Sequence, residues 1–182
     1  MLWAETSPNT VYMTQPLADG KTLEVTWGEA ANQVTRVANY LKSLNLPAGS
    51  SIGLLGRNSA HWILADLSVW MAGHVTVPLY PTLNAESAEY ILEHSECKLL
   101  FLGKLDGKAD GWNDIKTILP DSLPLIGLPL SPRSDVTQWT DLVAQNEPLA
   151  EITLPDTSAM ATIVYTSGST GRPKGVMHSF GT

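Results

Sequence analysis

Between residues 26 and 102 the chain alternates short apolar runs with longer stretches of helical spacing, and few folds satisfy that alternation. The short runs are Ile52-Gly53-Leu54-Leu55, Val75-Thr76-Val77-Pro78-Leu79-Tyr80-Pro81 and Lys98-Leu99-Leu100-Phe101-Leu102. Each reads as a buried strand, bounded by turn residues. The stretches between them carry helix signals. Thr26-Trp27-Gly28-Glu29 is a capping box, after which Ala30, Ala31, Val34, Val37, Ala38, Leu41 and Leu44 recur on one face until Pro47 and Gly49 close the segment. Asn58 or Ser59 caps a second helix from about 60 to 72, with Ile63, Leu67, Trp70 and Met71 predicted inward and Gly73 as its stop. Asn84 caps a third, over 85–94, with Ala88, Ile91 and Leu92 on one face. Strand–helix–strand–helix–strand with short links predicts an α/β fold: a mostly parallel sheet flanked by helices on both faces.

The flanking regions are less regular. Val11 to Thr14 and Leu23 to Val25 are expected to pair around the turn dipeptide Asp19-Gly20. Residues 103–114 read as a polar loop, without the spacing of a calcium loop. Residues 123–128 read as a strand and 137–146 as a short helix. A linker then leads to the strand Thr162-Ile163-Val164-Tyr165. Whether that strand opens a new sheet is left open by the pattern.

Composition bounds the function. A net charge of −7 argues against a nucleic-acid partner, which demands a basic face. The lone Cys97 excludes an internal disulfide and offers no metal-ligand spacing, so it reads as a small core residue. The N-terminus lacks the basic start and apolar run of a signal peptide, and no apolar stretch reaches spanning length. The expected location is cytoplasmic. His61 is expected to be exposed or packed on its helix, and Asp66 to be solvated or capping, since neither has an evident catalytic partner.

The chemistry concentrates in Thr166-Ser167-Gly168-Ser169-Thr170-Gly171-Arg172-Pro173-Lys174-Gly175. Gly168, Gly171 and Gly175 allow positive φ and close backbone approach to a ligand. Thr166, Ser167, Ser169 and Thr170 add hydroxyls to a row of backbone N–H groups, an anion-binding arrangement. Lys174 adds a point charge suited to phosphate. The expected ligand is a polyphosphate, held by Thr166, Ser167, Gly168, Ser169, Thr170, Gly171, Lys174 and Gly175. A Walker loop does not fit, because Arg172 and Pro173 precede the lysine and Gly175 stands where a magnesium-binding hydroxyl belongs. The bland alternative is a flexible Gly/Ser turn in a hairpin.

The run Tyr165 to Val176 resembles the signature of the adenylate-forming enzymes, the superfamily of acyl-CoA synthetases, peptide-synthetase adenylation domains and luciferases. Ser169 stands where many members have Thr, and Phe180 follows Ser179 where a histidine often stands. Softer matches are Asn58-Ser59-Ala60-His61-Trp62, Met71-Ala72-Gly73, Val77 to Leu83 and Glu93-His94-Ser95-Glu96, most similar to the long-chain fatty-acid branch.

The resemblance implies that the loop holds the β- and γ-phosphates of ATP. The implied reaction joins a carboxylate to ATP, giving acyl-adenylate and pyrophosphate, and then transfers the acyl group to CoA, with Mg2+ sharing the charge. Peripheral membrane contact is compatible with that class. Alternatives are a peptide-synthetase or carrier-protein ligase, or a non-catalytic phosphate-binding or protein-interaction domain.

In the family the adenine pocket, magnesium ligand, acyl tunnel and lid lie beyond this motif. The 182 residues are therefore expected to be an inactive N-terminal portion of an adenylation domain. Its parts would be an irregular or short-strand opening over 1–25, an α/β region over 26–146, and a linker, strand and phosphate loop over 147–182. No catalytic residue and no metal ligand is assigned within it.

Overall fold

The computed structural model describes residues 2–105, 111–166 and 172–182. In chain order its elements are α1 (Leu2–Thr6), β1 (Val11–Pro16), β2 (Thr22–Thr26), α2 (Trp27–Ser43), β3 (Ser51–Leu55), α3 (Ala60–Met71), β4 (Val75–Leu79), α4 (Ala85–His94), β5 (Leu99–Leu102), α5 (Trp112–Ile118), β6 (Leu125–Gly127), β7 (Thr137–Gln138), α6 (Trp139–Gln145), β8 (Met160–Thr166) and β9 (Lys174–Ser179).

Seven strands form one sheet in the order β7-β6-β5-β3-β4-β8-β9, and β1 and β2 pair separately as an antiparallel hairpin. All neighbours in the large sheet run parallel except β8 and β9, which are antiparallel. The expected α/β architecture is present, and β8 continues the existing sheet beside β4.

Successive strand side chains point to opposite faces, so both faces need cover. Ile52, Leu54, Leu99 and Phe101 pack with α2, α3 and α6 on one side. Leu55, Leu79, Leu100 and Leu102 pack with α4 and α5 on the other. The helix starts follow local chemistry. The Thr26 hydroxyl accepts from Glu29 N at 3.2 Å, and the Glu29 carboxylate accepts from Thr26 N at 2.8 Å. Ser59, rather than Asn58, caps α3 by accepting from Trp62 N at 3.1 Å. Asn84 caps α4 by accepting from Ser87 N at 2.9 Å. Each such cap stabilises by about 1 kcal/mol.

Four local expectations are corrected. The inward face of α3 is Ala60, Leu64, Ala65, Ser68 and Val69, while Ile63 is 37% exposed. The helix is apolar on most sides, so spacing alone did not select a face. The small residues let it approach the sheet closely. Leu67 and Met71 are partly buried against the core, and with Trp70 they also line an apolar cavity of about 350 Å³ beside Trp3, Trp27 and Phe180.

Second, α5 occupies the end of the stretch read as a polar loop, anchored by buried Trp112 and Ile115. Only two of its seven residues are buried, too few to show a period. Third, the opening residues form the short helix α1. Fourth, Thr137 and Gln138 are a strand at the sheet edge, and helix starts only at Trp139.

Candidate functional site

The phosphate motif flanks a hairpin. Thr166 pairs with Lys174 and Tyr165 with Gly175 across β8 and β9. The turn-rich crossing expected there is therefore the connection of an antiparallel hairpin, at the carboxyl end of β8. Ser167, Gly168, Ser169, Thr170 and Gly171 lie outside the described residues. Thr166 is exposed at the end of β8.

Lys174 and Gly175 are not loop residues but the first two residues of β9. The positive φ expected of Gly175 is absent; among the described glycines it occurs at Gly20, Gly49 and Gly73. Gly175 is required for a different reason. A Cβ there would lie 2.8 Å from Ile163 Cγ2 and 3.2 Å from Tyr165 Cζ. The tyrosine ring lies across the glycine.

Helix α4 reaches the same place. The Tyr165 hydroxyl lies 2.7 Å from His94 Nδ1, a hydrogen bond in which it donates when the imidazole carries its proton on Nε2. The two rings meet edge to face at 5.8 Å. His94 in turn packs on Tyr90, 5.2 Å away and one helical turn earlier. The Tyr90 ring carries the Arg172 guanidinium 5.6 Å above its centroid. Tyr165 is buried, and that burial, with a lesser contribution from Tyr90, pushes its hydroxyl pKa up. It remains a protonated hydrogen-bonding group at neutral pH.

The usual ligand position of a doubly wound sheet is closed by backbone contact. Strands β4-β3-β5-β6-β7 run in doubly wound order, and the switch point lies between β3 and β5. There the chains abut instead of opening. A Cβ on Gly56 would fall 2.8 Å from Gly103 Cα, and Arg57 N donates to the Lys104 carbonyl at 3.0 Å.

The other residues singled out in the sequence are structural. His61 packs its ring edge on Trp139 at 5.9 Å, and burial lowers its pKa. Cys97 Sγ accepts from Gly53 N at 3.1 Å and donates to the Leu99 carbonyl at 3.0 Å. Burial pushes its thiol up to about 11, so it is not a reactive thiolate.

Asp66 departs from expectation. It is half-buried, and burial raises its pKa while the Thr76 hydroxyl pulls it partly back. That hydroxyl is enclosed and, by strict geometry, has no hydrogen-bond partner, which marks the contact as loose. Among the described residues no cluster of three or more His, Cys, Asp or Glu side chains could hold a metal.

The model of the AMP-binding enzymes matches residues 2–182. The chain belongs to that family. A long-chain-fatty-acid–CoA ligase, FadD15, of Mycobacterium bovis is 32% identical over 164 residues, covering 88% of this chain and 27% of the ligase. Fatty acyl-CoA synthetase A of Dictyostelium discoideum is 32% identical over 186 residues, covering 95% of this chain and 28% of the synthetase. The chain thus spans little more than a quarter of the length of these curated relatives.

Among solved structures, the acetoacetyl-CoA synthetase of Streptomyces lividans superposes with a TM-score of 0.81 at 25% identity, over 98% of this chain and 29% of that one. The fold described above is the fold of that part of the synthetase. Tyr90 and His94 of α4 were not singled out as site residues in the sequence. The available signal was an aromatic pair four residues apart, off the Ala88, Ile91 and Leu92 face.

Proposed function

We propose that these residues form the phosphate-holding part of an ATP-dependent acyl-activating enzyme. The reaction joins a carboxylate, in our reading a long-chain fatty acid, to the nucleotide with release of pyrophosphate. The acyl group then passes to the thiol of CoA. The observation that supports this reading most is the position of the motif. Its flanks, Thr166 and Lys174, face each other across the last register pair of a hairpin at the carboxyl end of β8, the end of an α/β sheet where ligands bind.

In this reading Thr166, Ser167, Gly168, Ser169, Thr170, Gly171 and Lys174 hold the β- and γ-phosphates. Gly175 contributes by making room for Tyr165 beneath them. Negative charge grows on the departing pyrophosphate, and fixed N–H groups, hydroxyls and the Lys174 ammonium stabilise it there without reorganisation. Magnesium supplies further charge neutralisation when bound, but the described residues offer no carboxylate set that fits it, and no step is assigned to it here. Residues 1–25, 26–146 and 147–182 are proposed as the opening, the sheet-and-helix scaffold and the phosphate-holding part.

The alternative acceptor is a carrier-protein thiol, and the alternative class is a phosphotransferase. The relatives named as CoA ligases favour CoA. Among the described residues no helix is long and apolar enough to cross a membrane.

The test is ATP turnover by the full-length polypeptide carrying these residues, with fatty acids of graded length. Release of pyrophosphate and AMP that depends on the carboxylate supports the reading. Release of ADP would replace it with phosphotransfer. The 182 residues alone, a quarter of the relatives' length, are expected to form no acyl-adenylate. Formation of adenylate by them would overturn that part.

A further inference from the structure

We infer that helix α4 is a positioning device for the phosphate segment, acting through Tyr90 and His94 on both of its ends at once. The inference rests on the phosphate-holding reading above and adds the residues that hold the segment in place. The contacts form a closed circuit at the neck of the hairpin. Gly175 leaves room for the Tyr165 ring, and the Tyr165 hydroxyl meets His94 at 2.7 Å. His94 packs on Tyr90, and Tyr90 receives Arg172 on its face. One end of the segment, before Thr166, is therefore held through a hydrogen bond. The other end, before Lys174, is held through a cation–π contact.

The two grips sit four residues apart on one helix, so a single rigid element sets both ends of the segment. Burial of Tyr165, 4% exposed, makes its end the firmer one. The grip at Arg172 is exposed to solvent and weaker. A hairpin at the margin of a sheet has little packing of its own. Side-on support of this kind reaches the neck beyond Thr162, the residue at which β8 is in register with β4.

The chemical consequence is specific. A polyphosphate must be met by several groups whose spacing is set in advance, or binding has to order them. Tyr90 and His94 touch no substrate in this account and are positioning residues. Loosening either end should weaken binding of ATP while leaving binding of the carboxylate alone.

The experiment compares the full-length protein with Tyr90→Leu, Tyr90→Phe, His94→Ala and Tyr165→Phe. Two readouts are taken: amide hydrogen exchange over 162–178, and KM for ATP and for carboxylate. Tyr90→Leu is expected to speed exchange in that window and raise KM for ATP about two- to fivefold, the size of one lost exposed cation–π contact. Tyr90→Phe keeps the ring face and should restore most of both. His94→Ala and Tyr165→Phe remove the same hydrogen bond, so their effects should not add in the double variant.

Unchanged exchange in Tyr90→Leu and His94→Ala would overturn the grip. Faster exchange with an unchanged KM for ATP would overturn its positioning role. A general loss of stability, with faster exchange everywhere, would reduce the cluster to core packing. Faster local exchange in a protein with no ATP-dependent turnover would leave the grip standing and sink the phosphate-holding reading instead.

Discussion

The β3–β5 seam and the β8–β9 hairpin end at the same edge of one sheet, yet they are built in opposite ways. At the seam every residue of β5 is buried, and Gly56 runs against Gly103. A Cβ on Gly56 would press on that backbone at 2.8 Å. At the hairpin, β9 is exposed along nearly its whole length, and support comes from the side, through α4. The seam is where a doubly wound sheet would usually take its ligand. Here it carries packing, and the groups suited to phosphate stand two strands away.

The sharpest test of this contrast is a core deletion. Phe101→Ala removes a fully buried ring from β5 and should destabilise by about 3–5 kcal/mol in chemical denaturation. Val176→Ala on β9, where the residue is 43% exposed, should cost under about 0.5 kcal/mol. Equal costs would erase the distinction.

Next in size is Gly56→Ala. The neighbour it meets is backbone, which cannot rotate away, so a loss of about 2–3 kcal/mol is expected. A neutral Gly56→Ala would mean that the seam can open, and would restore it as a ligand site. Gly175→Ala pushes on Ile163 and the Tyr165 ring at a less confined edge, and about 1 kcal/mol is expected. Its larger effect should be on KM for ATP, since it displaces Tyr165 from its place beside His94.

The smallest effect concerns the join between the two regions. Asp66 lies against Thr76 on β4, and Thr76 accepts from the Thr162 hydroxyl of β8 through its carbonyl at 2.9 Å. Burial raises the Asp66 pKa, so the folded state holds its proton to higher pH than the unfolded chain does. Its contribution is therefore favourable below the unfolded value near 3.8 and is lost as pH rises through the raised folded value. Asp66→Asn, which stays neutral, should be more stable than the parent at neutral pH. The gain should vanish in acid. A loss of stability at neutral pH would show that the charged carboxylate is well paired.

Much of the scaffold was legible because its signals are local. The caps at Thr26, Ser59 and Asn84 act over three residues. The unalternating strands follow from cover on both faces. The face of α3 was not legible, since an apolar helix offers several. Nor was α5, whose two buried residues set no period.

The site divides the same way. Its residue types, from Thr166 to Gly175, could be read directly. The reason for Gly175 could not, because the ring that needs the space is on the partner strand. Tyr90 and His94 showed only as an aromatic pair off the core face, and their role was hidden for the same cause: His94 meets Tyr165 across 71 residues of sequence.

One measurement bears most directly on the central claim, that the hairpin and not the seam receives the nucleotide's phosphates. Amide hydrogen exchange of the full-length protein is followed with and without ATP and magnesium. The account expects slowing over residues 164–176, with none at 55–57 or 102–104. Slowing at the seam with an unaltered hairpin would contradict it.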